Sequence, residues 1–345
     1  MSGPQFSLFF FANDDGTAGP AKYRLLLEAA RFGDAHGFSA VWTPERHFHP
    51  FGGPYPNPAV IGAAIAVQTR QIQIRSGSVV LPLQDPVRVA EEWAVVDNLS
   101  NGRVGISFAP GWAANDFVLA PKNYPERKAV MYRGMETVQR LWGGEAVSLS
   151  NPAGEKVSVL TYPRPVQARL PIWVTTAGTP ESWRKAGELG ANVLTHLLNQ
   201  EYPEVAQKVQ IYRRARAEAG HKGPGCVSLM IHTFVHPDRA LVEERVRGPF
   251  RAYLKSSAQL ESGTDQLSAE ELEELLDYAY DKYFRLYGIF GTPTDCVETV
   301  ERIAALGIDE LGCLMDFGID TDLVLESLPH LNALKERLQG VAAVA

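Results

Sequence analysis

The sequence predicts an α/β fold, a (β/α)8 TIM barrel with two insertions, in one domain spanning residues 1–345. Three observations predict it. Short β-rich runs alternate with longer helical stretches along most of the chain. Eight such alternations can be traced, which favours a closed parallel barrel over an open sheet. No G-x-G-x-x-G follows any of the strands, which counts against a dinucleotide-binding doubly wound fold.

The elements follow in order. "FSLFFFA" (6–12) reads as a buried strand, and "AKYRLLLEAARFGDAHG" carries the first helix. "SAVWTPE" (39–45) is the second strand, with a helix in "NPAVIGAAIAVQTR". "IQIRSGSVVLP" is the third, followed by a helix that stops at Gly102. "RVGISFAPG" is the fourth, with a helix from about Tyr124 to Trp142. "PIWVTTAG", "ANVLTHLL", "VSLMIHTFVHP" and "DELGCLMDFG" supply strands five to eight, with helices near 180–189, 202–219, 238–256 and 294–306. Residues 143–165 read as an inserted hairpin, and residues 257–290 as a helical insertion. In the latter, Ser268 and Glu271 form a capping box, and Leu272, Leu275, Leu276, Ala279 and Tyr283 form one apolar stripe. That helix either packs on the outside of the barrel or a second subunit, or closes over the barrel mouth.

Composition narrows the function. With 33 Lys plus Arg against 40 Asp plus Glu, the net charge is −7, and no clustered basic patch stands out. Nucleic acid and anionic membrane are therefore not expected partners. The three cysteines, Cys226, Cys296 and Cys313, are far apart and lack metal or redox spacing, so reduced thiols and a cytoplasmic location are expected. The apolar run near the N-terminus lacks a basic flank and is far shorter than the ~20 residues of a membrane helix.

Chemistry in such a barrel gathers at the C-terminal strand ends. There, "TPERHFHPFGG" places Glu45, His47 and His49 at alternate positions, as metal ligands or as the wall of an organic-cofactor pocket. Pro44 and Pro50 bracket a loop, and no further Cys/His cluster completes a site, so no metal is expected. After strand five, "TTAGTPESW" offers Gly178 for a tight turn, Thr179 as N-cap and Pro180 at the first helical position. With the Thr179 and Ser182 hydroxyls, this helix start is either an ordinary cap or a cradle for an anion.

The segments "FSAVWTPERHFHPFGGPYPNP", "SGSVVLPLQDPVRVAEEWAVVDNLSNGRVGISFAPGW" and "GELGANVLTHLLNQ" resemble the bacterial luciferase-like, flavin-dependent monooxygenases. The resemblance spans nearly the whole chain and is nearest the natural-product-biosynthesis subgroup. It implies a barrel, homodimeric as a rule, that binds reduced FMN supplied by a separate flavin reductase. O2 then gives a flavin hydroperoxide, which oxygenates a small or carrier-protein-tethered substrate. It also implies a cis peptide between Gly77 and Ser78 beneath the flavin, and a flavin phosphate on Gly178, Thr179 and Ser182. Phe11, Ala109, Thr175, Thr176 and Ala177 complete the cofactor set. His47 becomes the acid/base candidate, Glu45 its orienting partner, and Trp42, Phe48, Trp112 and His196 the substrate pocket.

Three positions depart from the family pattern. Arg46 stands where luciferase has its catalytic histidine, and an always-charged guanidinium is a poor base, so a substrate acid or a carboxylate is its expected partner. Pro110 replaces a phosphate-binding arginine, and Ala113 a histidine common in the biosynthetic subgroup. Two other readings stay open: hydride transfer with a deazaflavin, and a non-catalytic flavin-binding subunit.

Overall fold

The computed structural model describes residues 3–198, 200–260 and 268–340. Its strands are β1 (Gln5–Phe9), β2 (Ala40–Thr43), β3 (Gln73–Val80), β4 (Val104–Ala109), the hairpin pair β5 (Val147–Ser150) and β6 (Lys156–Val159), then β7 (Ile172–Thr175), β8 (Asn192–His196), β9 (Val227–Val235), β10 (Ile289–Gly291) and β11 (Glu310–Leu314). Parallel pairing runs β1-β2-β3-β4-β7-β8-β9-β11 and returns from β11 to β1, closing an eight-stranded barrel. These strands read as nearly unbroken apolar runs because a parallel barrel strand is covered on both faces. The sequence-predicted strands are all present.

The helices are α1 (Arg24–Ala35), α2 (Pro58–Ala66), α3 (Pro86–Ser100), α4 (Arg127–Trp142), α5 (Pro180–Glu188), α6 (Tyr202–Glu218), α7 (Arg239–Leu260), α8 (Ala269–Lys282), α9 (Asp295–Ala305) and α10 (Thr321–Gln339). Side-chain caps set several starts: Asn57 accepts from Ala59 and Val60 N–H, and Asp85 from Val87 N–H. Helix α3 ends one step earlier than expected, with Asn101 in the left-handed conformation ahead of Gly102. Strand β10, three residues long, pairs with the end of β9, and α10 closes the chain over α1; neither was expected from the sequence. Pro329 lies inside α10 and reads as a breaker.

Both insertions are present, although residues 261–267 of the second lie outside the described residues. The hairpin of β5 and β6 is antiparallel. The Ser268–Glu271 capping box forms as expected at the start of α8. Helix α8 packs along α7. Its stripe is shifted: Leu276 and Tyr280 are buried, Leu272 and Ala279 are partly so, and Leu275 is exposed. Ion pairs Arg247–Asp277 (2.9 Å) and Arg251–Glu273 (2.8 Å) flank that seam. Being largely exposed, such pairs add little to stability.

The barrel interior has a charged floor. Glu310, almost fully buried, accepts from Arg75 Nη1 (2.7 Å) and Trp42 Nε1 (3.1 Å). The Arg75 guanidinium sits between the rings of Trp42 (5.0 Å) and Trp173 (4.5 Å). Burial works to raise the Glu310 pKa, but Arg75 and the hydrogen bonds from Ser7, Arg75 and Trp42 together hold it below the ordinary value.

Candidate active site

Two cavities that share lining residues open at the C-terminal ends of the strands. The inner one, about 210 Å³, is walled by Phe9, Phe11, Phe51, Val80, Leu194 and Met230, with polar groups from Glu45, Ser78, Thr175 and His196. The outer cleft, about 620 Å³, is lined by His47, Phe48, His49, Tyr124 and the turn from Ala113 to Asn115. Arg46, Trp112 and Asp116 belong to both.

The loop after β2 is stitched into place rather than free. Asp14 N–H donates to Pro50 O (2.7 Å), Gly52 N–H to Ala12 O (2.9 Å) and Arg46 N–H to Tyr55 O (3.1 Å). Gly52 has φ 76°, and a Cβ there would meet Phe11 and Arg46 at 2.8–2.9 Å, so the tight turn admits no side chain. Tyr55 in turn donates its hydroxyl to Asp316 (2.9 Å), which also accepts from Phe11 N–H (2.7 Å) and Ala12 N–H (2.9 Å). Asp316, at the exit of β11, thus ties the loops after β1 and β2 to the barrel.

Glu45 is held inside this loop with its side chain fully buried. It accepts from Val80 N–H (2.7 Å), Gln84 Nε2 (2.7 Å) and His47 Nε2 (3.0 Å). With Nε2–H given to a carboxylate, the neutral His47 ring keeps Nδ1 as its acceptor. His47 lines the outer cleft, one step outward from the inner cavity. His49 goes another way: its Nδ1 accepts from Phe51 N–H (3.0 Å), and burial and then Arg46 lower its pKa. The three alternate residues do not converge, and among the described residues no group of three metal-ligating side chains could hold an ion. Arg46 pairs with Asp116, a carboxylate partner of the kind expected, and its guanidinium lies 5.1 Å from the Trp112 ring.

The Gly77–Ser78 peptide bond is cis, at a register shift between β3 and β4, and both residues line the inner cavity. The Ser78 and Ser107 hydroxyls both bond to Thr175 Oγ1, fixing the cavity floor across three strands. Phe11, Ala109, Thr175, Trp112 and His196 are brought to the same cavity, whereas Phe48 faces the outer cleft. Burial pushes the His196 pKa down to about 4, and its Nδ1 accepts from Leu198 N–H (3.2 Å). The ring is therefore neutral at pH 7 and keeps its Nε2–H for the cavity. Trp42 corrects the expectation: it does not reach the cavity but lies in the barrel core, its indole N–H given to Ser7 and Glu310.

Thr176, Ala177, Gly178, Thr179 and Ser182 continue from Thr175 into the first turn of α5. Pro180 takes the first helical position, and the Thr179 side chain is exposed and makes no capping bond. Gly178 lies in the bend between β7 and α5 without a left-handed backbone, and it provides space, with nothing within 4 Å of an added Cβ. Lys208, unforeseen in the sequence, donates Nζ to Ala177 O (3.3 Å) and Gln200 Oε1 (2.8 Å), bringing a positive charge beside this turn. An uncommitted hydroxyl, open space, a helix start and a nearby ammonium fit a phosphate, and the apolar inner cavity fits a flat ring system.

Asp316 gives a testable pH effect. Burial raises its pKa from 3.8 to about 6, against the pull of its donors. Because the folded state binds this proton more tightly, the stability contributed by Asp316 is full below pH 4 and is lost as pH rises through 6, by roughly 3 kcal/mol. Asp316→Asn removes that titration. Urea unfolding of both proteins at pH 4.5 and 7 should show the variant gaining on wild type at the higher pH, and an equal difference at both would refute the assignment.

The molecule can be placed among known proteins. The luciferase-like monooxygenase family model matches residues 5–310. The oxygenase component of a flavin-dependent trigonelline monooxygenase from Acinetobacter baylyi is 25% identical over 339 residues, covering 95% of this chain and 93% of that protein. An F420-dependent glucose-6-phosphate dehydrogenase from Amycolatopsis mediterranei is 27% identical, covering 84% and 87%. In fold, a crystal structure of a monooxygenase from Streptomyces bottropensis superposes with a TM-score of 0.78 at 24% identity, covering 95% of this chain and 98% of that one. The match of one family model to nearly the entire barrel makes this chain a member of the luciferase-like monooxygenase family, and with it a flavin-dependent oxidoreductase.

Proposed function

We propose that the protein is the oxygenase component of a two-component monooxygenase, using reduced FMN from a separate flavin reductase, and O2, on a small or carrier-protein-tethered natural-product intermediate. The observation that carries this is the buried Glu45–His47 pair, locked through Val80 N–H onto the end of β3 beside an apolar cavity. The similarity to a protein described as an oxygenase component supports a partner reductase.

Reduced FMN supplies the two electrons that activate O2. With FMN bound, Phe9, Phe11, Phe51 and Met230 would shield its ring from water, and Thr179, Ser182 and Lys208 would hold its phosphate. His47 holds or moves a proton at Nδ1 beside the substrate, with Glu45 fixing the tautomer. A homodimer is part of this reading; Val60 on α2 and Val95 and Leu99 on α3 are exposed apolar side chains. No helix among the described residues is long and apolar enough to cross a membrane.

His47→Ala should lower oxygen transfer by about 10²–10⁴-fold, as expected for loss of an acid/base group. Its affinity for FMN, read by fluorescence quenching, should stay within about threefold of wild type, since His47 lies outside the inner cavity. Full turnover by this variant would sink the role given to His47. A second reading, hydride transfer with a deazaflavin, is favoured by the F420-dependent relative. A non-catalytic flavin-binding subunit accounts less well for the preorganised Glu45–His47 pair.

A further inference from the structure

The two oxygens of Glu45 are not loaded alike. Oε2 accepts from Val80 N–H (2.7 Å), whereas Oε1 accepts from both Gln84 Nε2 (2.7 Å) and His47 Nε2 (3.0 Å). Gln84 and His47 therefore share one acceptor atom, and the bond from the glutamine is the shorter. A carboxamide can face a carboxylate only through its NH₂ end, so the partner settles which way the Gln84 amide points.

The local chain holds Gln84 in this position. It follows a 3-10 turn, Leu81–Leu83, whose leucines are buried and whose Pro82 carbonyl accepts from Asn123 Nδ2 (2.8 Å). Its own N–H closes that turn onto Leu81 O (3.0 Å), and the next residue, Asp85, caps α3. With the backbone fixed on both sides, the side chain has little freedom left to lose in reaching Glu45.

We infer that Gln84 is a positioning residue for the acid/base step: by drawing on the charge of Glu45 Oε1, it keeps His47 in the neutral form whose Nδ1 can take up a proton. The inference rests on the oxygenase reading in giving His47 that role. A carboxylate beside an imidazole favours the protonated ring, and a donor that draws charge away from the shared oxygen weakens that preference. The other charges near the ring are mixed. Arg46 and His49 flank it in the same loop, and Asp116, paired with Arg46, lines the same cleft together with Tyr124. Asp14, held by Lys22 (2.7 Å), lies on the other side of the loop. Among the described residues none of these groups bonds to Gln84, so a change at Gln84 reaches His47 through Glu45 Oε1.

Ring 15N NMR of the full chain, followed as pH is varied, tests this. Gln84→Met keeps the side-chain length and removes the donor. In that variant His47 should take up its second proton at a pH about 0.5–1 higher than in wild type. A side chain that only filled space would lower the urea midpoint and leave the His47 transition in place. That result, or a transition moved to lower pH, would overturn the proposal. Wild type supplies a second measurement that needs no variant to fold. The Gln84 side-chain NH₂ signal should move as His47 is protonated, with the same midpoint, because both groups bond to one oxygen. A signal indifferent to that protonation would overturn the proposal as well. Neither measurement requires flavin. Absence of both signatures in a protein that still takes up O2 with reduced FMN defeats only this inference, and their presence in a protein that does not bind FMN defeats only the oxygenase reading.

Discussion

Replacing Glu45 with alanine should destabilise the protein by about 3–5 kcal/mol and remove its oxygenation activity. The carboxylate is fully buried and accepts from Val80 N–H, Gln84 Nε2 and His47 Nε2, so truncation strands three donors where water does not reach easily. Loss of so many bonds to one charged group lies at the upper end of single-site effects. Glu45→Gln keeps the volume but turns an amide N–H₂ toward existing donors, so its cost should be intermediate. Chemical unfolding gives the stability of each variant, and 15N NMR of the histidine rings gives the tautomer. In wild type the neutral His47 ring should carry its proton on Nε2. A stability change below 1 kcal/mol for Glu45→Ala would contradict its anchoring role.

The second large effect is expected at Gly77. A Cβ built there lies 2.8 Å from two carbons of the Phe9 ring and 3.3 Å from Trp42 Cε3. Neither ring can retreat. Both are fully buried and stack on each other at 6.2 Å, and Trp42 is pinned through its indole N–H. Gly77→Ala therefore overpacks the core, at about 1–3 kcal/mol, and pushes the Gly77–Ser78 segment toward the cavity. FMN affinity should fall by at least about tenfold, a further 1.4 kcal/mol. Unchanged FMN binding by a folded Gly77→Ala protein would mean that the flavin does not rest on this segment.

Much of this architecture was legible because closed parallel sheets write themselves as repeated apolar runs separated by helical periods. What escaped has physical reasons. Strand β10 is too short to carry a period, and Pro329 hides α10. Trp42 was assigned to the cavity because the sequence records position along a strand but not depth in the barrel. It lies on β2 itself, while the cavity begins beyond the strand end at Pro44 and Glu45. The cluster from Glu45 to His49 stood out because its polar residues are contiguous. Gln84, Asp116 and Asp316 did not, because the partner of each is distant in the chain. Asp316 bonds to Phe11 across 305 positions, and Gln84 to Glu45 across 39. The Cys226, Cys296 and Cys313 thiols, read as unpaired from their spacing, are free.

The most direct measurement of the central claim is an anaerobic titration of the protein with reduced FMN and, separately, with a reduced deazaflavin, followed by mixing with oxygenated buffer. The oxygenase account predicts saturable binding of reduced FMN, weaker binding of the deazaflavin, and uptake of one equivalent of O2 per bound FMN. Binding confined to the deazaflavin, with no O2 consumed, would contradict it and make the protein a hydride-transfer enzyme.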